Sequence, residues 1–320
     1  MKHWMRSLPR FSTRPRVGIG GAAFALALVA TIFVGGREAF ADSSSPMLAA
    51  YYDRQMAIVD GVAYGWEGEN APTRIAPGAV QVAVGRRFYY VLDRKGVLRR
   101  FRDAGRPPMN VRTGVASFAA GRSGVLAIGN DHALWWISAE NAERRLIAED
   151  VAAAAVGDGA NYYVTRSGTL FVKGLAHRGQ YGDGRLTETD SFVSTASDVA
   201  RVFAHTGHAL LLMKNGDVSG TGGNIYGPVG RHGLGDKAIR WSRIVSGAVA
   251  AATGSSHSLA ILGDGRLMAW GAGYGPDPVP VMESVAAVAA GSSSTIVLRR
   301  DGSLWQWDRS PAKPRTLTLR

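Results

Sequence analysis

Residues 248–271 read AVAAATGSSHSLAILGDGRLMAWG, and residues 285–307 repeat the scheme as VAAVAAGSSSTIVLRRDGSLWQW. Each copy is a run of small apolar residues, a Gly-led turn, a second apolar run, a polar-Gly turn, and a third run with an aromatic residue near its end. Polar-Gly pairs between short apolar runs are hairpin signals, because tight turns need the positive φ that Gly and Asn adopt at little cost. Ala-rich runs such as VAAAAV (151–156) have helical propensity. Six residues closed by a Gly are short for a helix, however, and small side chains suit strands that converge on an axis. The expectation is a meander of three or four strands, repeated.

Working outward, the turn residue before the Gly falls at Asp60, Lys95, Asp131, Ser167, Asn215, Asp264 and Asp301, with spacings of 35, 36, 36, 48, 49 and 37. Only Asp131 is followed by another residue, His132. Ten residues before these anchors lie Ala50, Gly85, Gly121, Gly157, His205, Gly254 and Gly291; six residues after them lie Trp66, Phe101, Ile137, Lys173, Thr221, Trp270 and Trp307. Five glycines at one offset, in a chain with 41 Gly among 320 residues, support the register. One such meander cannot bury both faces, whereas copies stacked radially can. The reading is an all-β, seven-bladed β-propeller over 42–320, with repeats near 44–78, 79–114, 115–150, 151–198, 199–247, 248–284 and 285–320. The tail Arg315-Thr316-Leu317-Thr318-Leu319-Arg320 alternates and reads as a strand that belongs to the last blade or completes the first.

Through Gly254, His257, Ser258, Asp264, Gly265, Leu267, Trp270 and Gly271, repeat six resembles the regulator of chromosome condensation repeat family. Gly179-Gln180-Tyr181-Gly182-Asp183-Gly184 in repeat four is similar to that family's G-Q-L-G-D-G. The resemblance implies a seven-bladed propeller with a structural histidine at the position of His208 and His257. It also implies two activities known in the family: guanine-nucleotide exchange on a small GTPase and, among secreted bacterial members, capping of β-lactamases.

The first 41 residues read as a targeting segment. Lys2, Arg6, Arg10, Arg14 and Arg16 precede an uncharged run of 20 residues (17–36), and Ala39-Phe40-Ala41 offers small residues for cleavage before Asp42. The run suits a cleaved signal peptide or a retained inner-membrane anchor, either of which carries the propeller out of the cytoplasm. A periplasmic, secreted or membrane-anchored protein is expected. Beyond this segment the chain holds 31 basic and 24 acidic residues. That modest excess favours an acidic protein partner. It lacks the basic, aromatic-interleaved stripe of a nucleic-acid binder, and no nucleic-acid partner is expected.

Chemistry is sparse. There is no cysteine, hence no thiol nucleophile, thiolate metal site or disulfide. No H-E-x-x-H, P-loop or nucleophile elbow occurs, and Asp183 lacks the alternating acids of a calcium loop. Neither metal nor cofactor is expected, nor an enzyme. His208 and His257 share one repeat position, read as inward side chains bonded to a neighbouring blade's backbone rather than as paired ligands. Trp66, Trp270 and Trp307 read as inter-blade packing.

The insertions, 174–191 in repeat four and 222–237 in repeat five, carry the functional reading. Insertions in repeat folds collect on one face and often bind there. Their candidates are His177, Arg178, Gln180, Tyr181, Arg185, Asn224, Tyr226, Arg231 and His232, a hot-spot composition. The turns after each first strand should emerge on the same face and add Arg86, Arg87 and Arg122. Trp135-Trp136 is a further candidate, since alternation lets only one of the two be buried. The expected function is a monomeric, non-enzymatic, extracytoplasmic protein–protein interaction module, with an inhibitor-like binder as one form of it. The alternatives are the family's nucleotide-exchange activity or a hydrolase or lyase built around the propeller funnel.

Overall fold

The computed structural model describes residues 47–308, apart from 104, 142 and 232–234, together with 314–319. The targeting segment of 1–41 lies outside the described residues. Seven four-stranded antiparallel sheets follow one another, each a meander of four consecutive strands. These blades run over 48–77, 79–112, 115–148, 151–196, 199–245, 248–282 and 285–317. The chain is an all-β, seven-bladed propeller, and no helix occurs among the described residues.

Each blade's first strand is the innermost, and this explains its Ala-rich sequence. In Val151–Val156, Ala248–Thr253 and Val285–Ala290 the second residue (Ala152, Val249, Ala286) is exposed and the last two are buried. The axis is therefore a funnel lined by small side chains, open at the start of these strands and closed at their ends. Large apolar side chains of the second and third strands fill the space between blades, as with Leu210, Val218, Ala260 and Trp270 between blades five and six.

The turns from first to second strand form a ring at the closed end. Its members are Tyr51, Gly85, Gly121, Gly157, His205, Gly254 and Gly291. A Cβ at Gly85 would stand 2.8 Å from Gly121 O, one at Gly157 2.7 Å from His205 O, and one at Gly254 2.6 Å from Gly291 O. The repeat glycine is thus required by the close approach of the next blade's backbone rather than by positive φ. Counting ten residues back from Asp60 gives Ala50, yet Tyr51 occupies the ring position. The hairpin at Asp60-Gly61 is one residue shorter than its counterparts: four residues separate paired Ile58 and Ala63, against five between paired Ile261 and Leu267.

The C-terminal strand Arg315–Leu317 pairs with Leu304–Asp308 and completes blade seven, so blade one is built wholly from its own four strands. Closure is a side-chain and turn seam. Ser292 N donates to Tyr52 O at 2.9 Å. The fully buried Gln306 accepts from Trp66 Nε1 and donates to Gly68 O, each at 3.0 Å. Gln306→Leu strands both partners in the seam and is expected to cost about 2–3 kcal/mol, read as a lower midpoint in urea. A midpoint unchanged from the parent chain would show that closure does not depend on this amide.

Candidate functional site

An up-and-down meander brings its first and third connections out on one face. Both insertions lie there, as connections between the third and fourth strands of blades four and five. They do not stand off the surface but fold into the grooves beside their own blades. Tyr181 is fully buried, and its hydroxyl donates to Gly174 O at 2.8 Å. Gln180 is buried, its Oε1 accepting from Arg178 N and its carbonyl from the Tyr162 hydroxyl. Thr221 of blade five donates to Gly179 O at 2.8 Å, which ties the first insertion to the next blade. In the second insertion buried Asn224 brackets its own loop, donating to Gly230 O and accepting from Val229 N. Pro228 O then accepts from Trp270 Nε1 at 2.7 Å and from the Ser258 hydroxyl at 2.8 Å in blade six.

Gln180, Tyr181 and Asn224 are therefore interior struts rather than surface groups. A loop sequence has no periodicity to distinguish its inner side from its outer one, and only the groove beneath decides. His177, Arg178, Arg185, Tyr226 and Arg231 are exposed. Arg185 pairs with Asp183 at 2.7 Å, and Arg231 forks onto Asp277 of blade six. His232 lies outside the described residues. The tip of the second insertion is apolar and open, with Ile225 70% and Tyr226 61% exposed.

Arg86, Arg87 and Arg122 come together around a cleft of about 550 Å³ between blades two and three on this same face. Phe88, Tyr90 and Trp136 supply aromatic wall, with Glu140 and Asp158 at the rim. Arg100 lies over the Phe88 ring at 4.6 Å and donates to Ala139 O at 2.8 Å, joining the two blades at the cleft. Trp135 and Trp136 are both half-buried: alternation sends Trp136 to the cleft and Trp135 beneath the Arg112 guanidinium at 4.3 Å.

The two ring positions that are not glycine meet across the axis. Tyr51 of blade one lies 5.4 Å from His205 of blade five, centroid to centroid, and Tyr52 lies 5.9 Å from it. Both tyrosine hydroxyls donate to the Asp158 carboxylate of blade four, that of Tyr52 at 3.0 Å. Burial, reinforced by bonding to this carboxylate, raises the ionisation of both phenols, so they remain donors. These residues lie far apart in the chain, and the closed ring makes them neighbours.

His208 and His257 reach forward to the next blade's side-chain hydroxyls, rather than to its backbone: Ser258 at 2.9 Å and Thr295 at 3.1 Å. Because Ser258 spends its own proton on Pro228 O, the His208 Nε2–H must donate. Burial pushes His208 down to about 3, and His257 and His205 down to about 4. All three are neutral side chains of the interior. The tryptophans reach backward instead, Trp66 to Gln306, Trp270 to Pro228 and Trp307 to the Tyr274 hydroxyl at 2.7 Å.

Fold and face together define a repeat-built propeller whose two enlarged loops fill grooves on one side. Within it, residues 248–274 match the Regulator of chromosome condensation (RCC1) repeat. A 172-residue stretch, 51% of the chain, is 29% identical to the secretion-regulating guanine nucleotide exchange factor of Bos taurus and spans 37% of that protein's length. Among solved structures, Prp20p of Saccharomyces cerevisiae is similar with a TM-score of 0.65 at 16% identity, over 77% of this chain and 80% of its own. The CRINKLY WD40 ectodomain of the Arabidopsis thaliana receptor kinase ACR4 reaches 0.58 at 12% identity, over 86% and 98%. These two likenesses are of the fold alone.

Proposed function

We propose that the protein is a non-catalytic, exported interaction module that engages a partner protein through the insertion-bearing face. One observation carries this reading. Of eight exposed large hydrophobic residues among the described residues, five (Tyr52, Leu175, Leu186, Ile225 and Tyr226) lie in the turns and loops of that face. Exposed apolar side chains on the same face as unpaired arginines make a surface suited to a protein partner. The targeting segment in the sequence supports an extracytoplasmic location, and the excess of basic residues supports an acidic partner.

The test is capture of a partner from the native envelope fraction by the full chain. Ile225→Ser with Tyr226→Ser is expected to weaken capture by about tenfold, since these tips are 70% and 61% exposed, and to leave the melting temperature within about 1 °C. Tyr181→Phe should do the reverse, costing about 1–2 kcal/mol of stability by removing the buried hydroxyl while capture persists. Retention of the partner by the Ile225/Tyr226 variant would remove the insertion tip from the interface. A second reading, nucleotide exchange, is favoured by the 172-residue match to an exchange factor. It requires that the chain accelerate release of a fluorescent guanine nucleotide from a small GTPase.

A further inference from the structure

We infer that the cleft between blades two and three is a subsite for an acidic protein segment that carries an apolar residue between its carboxylates. This deepens the interaction reading and rests on it.

The charge argument is the first. Arg86, Arg87 and Arg122 are exposed, and none takes part in the ion pairs formed among the described residues. Other exposed arginines, Arg94, Arg145, Arg178 and Arg300 among them, are likewise outside those pairs, but Arg86, Arg87 and Arg122 line one concavity. Three guanidiniums left unpaired around one concavity offer forked donors for carboxylates that the chain does not itself supply. Asp158, at the rim, turns both carboxylate oxygens to the tyrosines of blade one.

The wall is the second argument. Phe88, Tyr90 and Trp136 give the cleft an apolar lining that a simple anion site would not need, and about 550 Å³ admits several side chains. Arg100 fixes the two blades to each other there, so the cleft is preformed and binding need not pay to open it.

The third argument is how this chain fills its other grooves. Between blades four and five, and between five and six, the occupant is an extended loop of polypeptide, anchored through Gly179 O and Pro228 O. The cleft between blades two and three is, among the described residues, a groove of this face that no insertion fills. Glu140 and Asp158 at its rim oppose a uniform polyanion, which carries charge at every step, but leave room for a peptide whose carboxylates are spaced by apolar residues.

The probe is a fluorescein-labelled peptide in which leucines alternate with pairs of glutamates, titrated against the full chain by fluorescence anisotropy. Saturable binding is expected, weakened at least about tenfold by the Arg86→Glu, Arg87→Glu, Arg122→Glu triple variant. Arg166→Glu, a like charge reversal on the opposite face, should change it by less than about twofold. An all-glutamate peptide should bind about fivefold more weakly than the probe, because the aromatic wall then has nothing to cover. No saturable binding by the parent chain, equal loss with Arg166→Glu, equal binding of the all-glutamate peptide, or tighter binding of a single-stranded oligonucleotide would each overturn the proposal. If the envelope partner is captured and resists the triple variant while yielding to the Ile225/Tyr226 variant, the subsite fails and the interaction module stands.

Discussion

The protein is expected to lose stability steeply as pH falls from 6.5 towards 4, well before most of its carboxylates titrate. The origin is the set of buried histidines. Released by unfolding, each returns to an ordinary value near 6.5; folded, burial holds His205 and His257 at about 4 and His208 at about 3. Between those limits the unfolded chain binds more protons than the folded one, so stability falls as pH falls. Above 6.5 the contribution is flat. Each histidine gives a slope of about 1.4 kcal/mol per pH unit, and three together about 4 kcal/mol per unit. At His205 the Asp158 charge partly offsets burial, and the net value is still about 4. Over two units this reaches the whole stability of an ordinary domain, about 5–15 kcal/mol. Urea unfolding at pH 7, 6, 5 and 4.5 measures it. His257→Gln keeps a hydrogen-bond partner for the Thr295 hydroxyl and should remove about one proton from the uptake on unfolding. A midpoint that stays level from pH 7 to pH 5 would contradict neutral burial of these rings.

Much of this architecture was legible from residue order because a repeat fold writes its geometry seven times. The anchors and the glycine offset marked the meander, and the roles of Gly85, Gly121, Gly157, Gly254 and Gly291 became definite once the next blade's carbonyl was seen behind each. The one-residue error at Ala50 arose from a shortened hairpin, which leaves the alternation of apolar residues intact and so gives no sign in sequence. Arg86, Arg87 and Arg122 could be read as loop residues of one face. Their common cleft could not, because Phe88 and Trp136 reach it from adjacent blades whose spacing is set by packing. The insertions misled in a different way. Tyr181 and Asn224 have the composition of a binding loop, but a loop that fills its own groove needs the same side chains to satisfy its buried backbone.

Tyr51→Gly, which restores at this position the residue found in five other blades, is expected to destabilise the propeller by about 3–4 kcal/mol. Five turns carry glycine because a side chain there would strike the neighbouring turn; Tyr51 and His205 are the two whose side chains fill the axis instead. Removing the Tyr51 ring takes a buried aromatic from His205 and leaves one Asp158 lone pair without its phenol. The cost is therefore a cavity together with a carboxylate left with one of its two phenol donors. A double-mutant cycle separates the two. Tyr51→Phe keeps the ring and removes the hydroxyl, Asp158→Ala removes the acceptor, and the pair should show a coupling of about 1.5–3 kcal/mol, as expected for a hydrogen bond to a charged group. The two residues are 107 positions apart in the chain and belong to blades on opposite sides of the axis, so this coupling reports on the closed ring itself. The cluster also lies on the face that carries both insertions. Additive effects of the two substitutions, with coupling below about 0.5 kcal/mol, would mean that tyrosine and aspartate merely occupy the mouth of the funnel and that the ring is held by its seam alone.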